Sequence, residues 1–192
     1  MNGEMPFFRL DKWDHTGFDY GRPKFFVFLW FLCQETLFRF SPLPCYGFRR
    51  RLLKMFGCQV GKQVFVHPRA RLHFPWRIEI GDYAWIGDDA WLYSIAPIKI
   101  GEQTIISQKS FLCAAGHDHN DPHFKTIPNP ITVGNGVWIA ADVYVAPGIT
   151  IGDNSVIGAR SSVFHDMPAG MVCYGHPCRP VKPRGRGLEA GN

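Results

Sequence analysis

Charge is scarce in this chain: 19% of its 192 residues are Asp, Glu, Lys or Arg, too few for a disordered or coiled-coil protein. Long apolar runs are scarcer still. The strongest, Phe25 to Cys33, falls well short of the roughly 20 residues that a helix needs to cross a bilayer core. The first twenty residues are polar and aromatic, without the apolar run of a secretory leader. The six cysteines, at 33, 45, 58, 113, 173 and 178, form no CxxC pair and no regular framework. We read them as reduced thiols of a cytoplasmic protein, mostly small buried hydrophobes. No nucleic-acid-binding motif is present. The basic clusters, Arg49, Arg50, Arg51 and Lys54, then Arg179, Lys182, Arg184 and Arg186, are short. A net charge of +5 suits an anionic cofactor, an anionic membrane or nucleic acid equally, so it decides nothing alone.

What the chain does have is a period. From Val133 an aliphatic residue recurs at every sixth position, at Ile139, Val145, Ile151, Ile157 and Val163. The next residue is small each time it recurs up to Gly158, as in Gly134, Ala140, Ala146 and Gly152. The fifth position of each unit is aliphatic or small, at Val137, Val143, Ile149, Ser155 and Ser161. Six residues fit neither an α-helix nor an alternating strand. They fit a hexapeptide solenoid, in which each unit is a short strand and a tight corner, and only stacked units bury the aliphatics. The expected fold is therefore an all-β solenoid with an N-terminal helical segment.

In chain order, residues 1–22 read as an extended leader. Pro23 to Phe40 is a helix candidate, apolar nearly all round in its first half and ended by Pro42 and Pro44. A second candidate, Tyr46 to Phe56, shares Phe48, Leu52, Leu53 and Phe56 on one face, leaving Arg49, Arg50, Arg51 and Lys54 on the others. Both helices are expected to pack on the solenoid's end or a neighbouring subunit. The alternative is a peripheral membrane element, aromatic and basic. We place residues 1–58 in this N-terminal part, 59–184 in the solenoid and 185–192 in a disordered tail.

The solenoid register starts at Val60, Val66 and Leu72, slips by two residues to Ile80, Ile86 and Leu92, and slips again to Ile100, Ile106 and Leu112. A slip after every third unit predicts three units per turn, with the extra residues at one corner of a triangular coil. Between Leu112 and Val133 the repeat is interrupted, and residues 113–131 are expected to protrude as a loop. That loop holds His117, Asp118, His119, Asp121 and His123, the densest ionisable chemistry in the chain. A loop on a regular scaffold is where a site is built.

Over roughly Phe56 to Arg184, the segments IGDYAWIGDDAWLYS, ISQKSFLCAAGHDHNDPHF, VWIAADVYVAPGITIGDNSVIGARSSV and GHPCRPVK resemble the hexapeptide-repeat acyltransferases. Within them the chain is most similar to the colanic acid biosynthesis acetyltransferases, with the maltose, galactoside and nodulation O-acetyltransferases nearby. The resemblance implies a left-handed parallel β-helix, a homotrimer with active sites between neighbouring solenoids, and acetyl-CoA as co-substrate. It implies His117 as general base, a role for which histidine is the commonest side chain, with Asp118 as its support. Trp138 is implied at the thioester end of the cofactor groove, the Ala140 and Ala159 backbones beside the pantetheine amides, and Arg179 and Lys182 at the phosphates.

Gly87 stands where the simple-sugar enzymes carry a substrate-binding asparagine. The acceptor is therefore not expected to be a free disaccharide, and Asp88, Asp89, Tyr93 and Ser94 are the candidate acceptor contacts. Tyr93, at a position normally small, is expected to point outward into a cleft.

Three histidines in the loop also suggest metal ligands, as in the gamma-class carbonic anhydrases that share this type of fold. Between His73 and His117, however, no histidine completes such a set, and no metal is expected. Cys113 raises a covalent acyl-enzyme, but it occupies a small position of the repeat, so direct transfer is favoured. The expected activity is O-acetylation of a sugar, free or lipid-linked, for an exopolysaccharide or surface polysaccharide, in the cytoplasm or at its membrane face. Acetylation of an amine and a non-catalytic trimeric scaffold stand as alternatives.

Overall fold

Each hexapeptide unit forms a strand of only two or three residues, which holds its shape because it is paired with the coil above and the coil below. The computed structural model describes residues 19–185, so most of the expected leader and tail lie outside the described residues. The first coil contains β1 (Gln59–Val60), β2 (Phe65–Val66) and β3 (Arg71–Leu72). The second has β4 (Ile78–Ile80), β5 (Trp85–Ile86) and β6 (Trp91–Tyr93), and the third β7 (Ile98–Ile100), β8 (Ile105–Ile106) and β9 (Phe111–Cys113). A hairpin of β10 (Ala115–His117) and β11 (Thr126–Pro128) then intervenes. The fourth coil is β12 (Ile131–Val133), β13 (Trp138–Ile139) and β14 (Tyr144–Val145), and the fifth β15 (Thr150–Ile151), β16 (Val156–Ile157) and β17 (Ser162–Val163).

Stacking these coils makes three parallel sheets, one for each side of the triangle. The first face is β1-β4-β7-β12-β15, the second runs β2-β5-β8-β13-β16, and the third β3-β6-β9-β14-β17. The predicted period is what aligns them: Val66, Ile86, Ile106, Ile139 and Ile157 are direct partners from coil to coil, and all five are fully buried. Removing such a column member costs about 2 to 5 kcal/mol, as in Ile106→Ala. Hydroxyls at the fifth positions are buried too, but not orphaned. Ser110 Oγ donates to Ala140 O at 2.8 Å, and Thr104 Oγ1 to Gly134 O at 2.7 Å, tying coil three to coil four. Close stacking also explains the glycine at the corner between the first and second faces. A Cβ on Gly81 would lie 2.6 Å from the backbone nitrogen of Glu102.

The two predicted slips both occur at the corner between the third and first faces. One is filled by a 3-10 turn, Pro75–Arg77, and the other by residues 94–97. The loop emerges from the same corner, because β9 lies on the third face and β12 on the first.

The helical segment differs from expectation in one respect. Instead of one regular helix from Pro23 to Phe40, α1 (Lys24–Cys33) passes into a π-helical turn, Gln34–Phe38. The wider turn lets Cys33, Gln34 and Phe38 all face inward. Gln34 Oε1 accepts from the Leu72 backbone N–H at 2.8 Å, and Trp30 Nε1 donates to Leu72 O at 2.9 Å. The second helix, α2 (Tyr46–Met55), matches its predicted span within a residue. Trp30, Phe38, Leu53 and Phe56 join the same core as Val60, Val66 and Leu72, so the helices seal the first coil. The basic cluster of α2 is not a cluster on the surface, however. Arg49 is completely buried, with Nε on Val66 O at 2.7 Å and its terminal nitrogens on Ser41 Oγ, Pro42 O and Leu43 O. At the other end β18 (Met171–Gly175) extends the second face and folds back antiparallel as β19 (Cys178–Pro183).

Candidate functional site

The interrupting loop is a built element rather than a slack one. Ala115 to His117 pair antiparallel with Thr126 to Pro128, and the tip between them is held by local turns. His117 is the last residue of the outgoing strand, exposed at the base of the tip. Its Nδ1 lies 2.9 Å from the carbonyl oxygen of Phe124, and its ring stacks on the Phe124 ring, centroids 4.2 Å apart and planes within 7°. A carbonyl only accepts, so Nδ1 carries the proton and the basic lone pair is on Nε2.

Asp118 plays a different part from the one expected. Its Oδ1 accepts the Asn120 backbone N–H at 2.9 Å, closing the turn, and its own N–H donates to Lys125 O. The imidazole is thus oriented by the Phe124 backbone and ring, and Asp118 shapes the loop that supplies them. His119 contacts Asn120, and His123 contacts Asp121 at 3.3 Å. No group of three or more His, Cys, Asp or Glu side chains suited to a metal occurs among the described residues.

The proposed cofactor residues gather elsewhere, on the second face and the corner between the second and third faces. Trp138 lies on β13, half exposed, with Nε1 3.1 Å from Ser107 Oγ. Ala140 follows it at the corner, but it is buried and its N–H is already given to Ile157 O at 2.9 Å. Its amide donor is therefore used within the solenoid, so any pairing with the pantetheine amides falls to its carbonyl, which also accepts from Ser110 Oγ at 2.8 Å. Ala159, one coil on, is exposed at the same corner. Arg179 and Lys182 are exposed on β19, the outermost strand of that sheet. Arg184, not singled out for any role, straps back across the coils to Gly136 O at 2.8 Å.

Asp88 and Asp89 turn the same corner one coil before Ser107. Around them is a cavity of about 280 Å³ lined by His67, Arg69, Trp85, Gln108 and Lys109. His67 Nδ1 is 2.9 Å from Asp88 Oδ1, and the Arg69 guanidinium binds both Asp88 oxygens and Asp89. Asp89 has a φ of 53°, so a left-handed corner aims its carboxylate. The linear repeat does not single out His67, Arg69 and Trp85, because they meet Asp88 and Asp89 only where neighbouring coils stack. Aligned by coil, His67 and Gly87 occupy equivalent positions, since their amides bond consecutive coils.

Ser94 leaves the acceptor set. It is completely buried, and its hydroxyl both accepts the Phe74 N–H at 2.9 Å and donates to Phe74 O at 3.1 Å. Tyr93 faces outward from β6, on the side away from the buried Leu92, and is half-buried there beside His73 at 4.7 Å and edge-on to Trp91 at 5.5 Å. Within one chain, then, His117 stands at one edge of the third face, while Asp88, Asp89 and Ala159 stand at the other.

Comparison with known proteins locates this geometry among relatives. Residues 130–165 match the model of the family described as bacterial transferase hexapeptide (six repeats). The chain is 48% identical over 158 residues to the protein of Escherichia coli K12 named "Putative colanic acid biosynthesis acetyltransferase WcaF", covering 82% of this chain and 87% of that one. A galactoside acetyltransferase solved in complex with coenzyme A superposes with a TM-score of 0.73 at 32% identity, over 80% of both chains. A hexapeptide-repeat acetyltransferase of Vibrio cholerae complexed with acetyl-coenzyme A gives a TM-score of 0.73 at 26% identity, over 80% of this chain and 84% of that one.

Proposed function

Since this chain belongs to the hexapeptide-repeat acetyltransferases, we propose that it transfers the acetyl group of acetyl-CoA to a sugar hydroxyl during assembly of an exopolysaccharide or surface polysaccharide. The observation that carries the reaction class is His117, held with its proton on Nδ1 at the end of a hairpin strand. Its Nε2 takes the proton of the acceptor hydroxyl as the oxygen attacks the thioester carbonyl. The C–S bond then breaks, and the imidazolium returns the proton to the departing sulfur. No covalent enzyme intermediate is needed.

Acetyl-CoA lies along the second face in this reading, its thioester beside Trp138, its pantetheine passing the exposed corner at Ala159 and its phosphates met by Arg179 and Lys182. The acceptor enters at the corner of Asp88 and Asp89, where the Trp85 ring offers a sugar a flat apolar surface. Because His117 is at the opposite edge of the third face, the site is completed by a neighbouring copy that brings its hairpin to this corner. A homotrimer closes such contacts with every site equivalent. The working compartment is the cytoplasm. Among the described residues, no helix is long and apolar enough to cross a membrane.

Calorimetry with acetyl-CoA on the wild type and on Arg179→Ala, together with CoA release in the presence of mixed sugar acceptors by the wild type and His117→Ala, tests this reading. Binding weakened by Arg179→Ala and turnover lost with His117→Ala are expected. Failure of the wild type to bind acetyl-CoA overturns it in favour of a scaffold, and turnover only with amine acceptors overturns O-acetylation.

A further inference from the structure

Half of the exposed large hydrophobic side chains of the described chain lie in a single stretch, between Phe25 and Met55. On α1 the inward side is Val27, Trp30 and Cys33, which leaves Phe25, Phe28, Leu29 and Leu32 as a stripe at helical spacing on the outside. The stripe continues through Leu37 and Phe40, the latter 80% exposed. On α2, Phe48 and Met55 are exposed along one flank of the helix, beside the buried Leu52 rather than under it. These are one surface, because Leu37 and Phe40 from one helical piece and Phe48 from the other line the same open apolar cleft of about 570 Å³. Packing against the solenoid already uses the other sides of both helices, so this surface has no partner among the described residues.

Charge identifies what it fits. Residues 22–58 contain seven of the 21 Lys and Arg residues but only one of the 16 Asp and Glu residues, a net +6. The rest of the chain is therefore −1, against +5 in all. The single acid, Glu35, is paired with Arg39 at 3.2 Å. Arg49 is consumed inside the fold and Arg50 donates to Val64 O, but Arg51 and Lys54 are exposed on the same turns of α2 as Met55, and Lys24 stands beside Phe25. Aromatic and aliphatic side chains ringed by cations match the boundary of an anionic bilayer, where rings enter the acyl region and cations meet phosphates. A second copy of the same surface would instead bring two such cationic segments together.

We propose that the outer surface of α1, the π turn and α2 docks on an anionic lipid bilayer, with the solenoid standing away from it. This goes beyond acetyl transfer and does not depend on it. The test is co-sedimentation of the full-length protein with vesicles of phosphatidylcholine alone and of equal parts phosphatidylcholine and phosphatidylglycerol. Alongside the wild type are Phe28→Ser/Phe40→Ser and Arg51→Glu/Lys54→Glu, all at exposed positions, with sedimentation velocity recorded in the absence of vesicles. Binding to the anionic vesicles that weakens in high salt, and roughly tenfold or more in each double variant with an unchanged sedimentation coefficient, is the expected result. Three outcomes overturn it. The wild type ignores anionic vesicles at low salt; or both variants bind as it does; or Phe28→Ser/Phe40→Ser dissociates an oligomer without affecting vesicle binding, which assigns the surface to a second copy.

Discussion

His117 and Phe124 hold each other twice, by a 2.9 Å hydrogen bond from Nδ1 to the Phe124 carbonyl and by rings stacked 4.2 Å apart. The bond selects the tautomer and the stack restricts ring rotation, so Phe124 helps to fix both which ring nitrogen is open and where it points. The two contributions separate by mutation. Phe124→Leu keeps the carbonyl but loses the stack, and kcat is expected to fall about tenfold with acetyl-CoA affinity unchanged. His117→Ala loses the base itself, with a fall of about 10² to 10⁴ in kcat. Steady-state kinetics paired with calorimetry distinguishes them. Equal losses in the two variants would mean that Phe124 acts by folding the loop.

Cys113 sits four residues before His117, half-buried on the outer side of β9, with its Sγ 3.1 Å from Ala115 O. It also borders Tyr144, whose hydroxyl is held above its usual range by burial and by that thiol. A thiol already giving its proton to a backbone carbonyl is poorly placed to attack a thioester. Cys113→Ala is expected to retain activity within about threefold of wild type. Intact-mass analysis after rapid quench should show no acetyl adduct on the wild-type enzyme, and an adduct lost in the variant would reverse this conclusion.

Much of this architecture was legible because one residue in six does a single job. The coil columns, the three-unit turn, both slips and the protruding loop all follow from where Val, Ile and Leu recur, since only a triangular stack buries all of them. The segments without a period were less legible. Nothing in the string QETLF signals a π turn, because that turn forms to bring Gln34 to the Leu72 amide, a partner 38 residues away. Arg49 reads as one of three surface arginines until its carbonyl acceptors from another loop and coil are known. At the site, residue type pointed to His117, but its support proved to be a carbonyl and a ring seven residues on, where a neighbouring carboxylate was expected. Ser94 read as polar and accessible, whereas the Phe74 backbone claims both of its bonds.

Arg49 supplies a stability prediction. Burial lowers its pKa from the ordinary arginine value, yet the guanidinium remains charged and satisfies carbonyls of residues 42, 43 and 66 together with Ser41 Oγ. Arg49→Ala leaves those acceptors without a donor and opens a void between α2 and the first coil. A loss of about 3 kcal/mol is expected in urea unfolding. Arg51→Ala, on the exposed side of the same helix, should stay within about 0.5 kcal/mol. Similar losses at both positions would contradict the buried anchor.

His73 gives the fold a sensitivity to acid. Its imidazole is packed among Phe31, Phe74 and Tyr93, and burial, assisted by the nearby Arg77 charge, lowers its pKa from 6.5 to about 4. In the unfolded chain the same ring titrates near 6.5. Between these values the unfolded state binds a proton that the folded state refuses, so this contribution is complete above pH 6.5, shrinks as pH falls toward 4, and levels off below. The loss is on the order of 2 to 3 kcal/mol. Carboxylates elsewhere titrate in the same range, so the informative quantity is the difference from His73→Phe, which keeps an aromatic ring and removes the titration. The gap between wild type and variant, read from urea midpoints across this interval, should shift in favour of the variant as pH falls. Parallel curves would place the His73 ring in water.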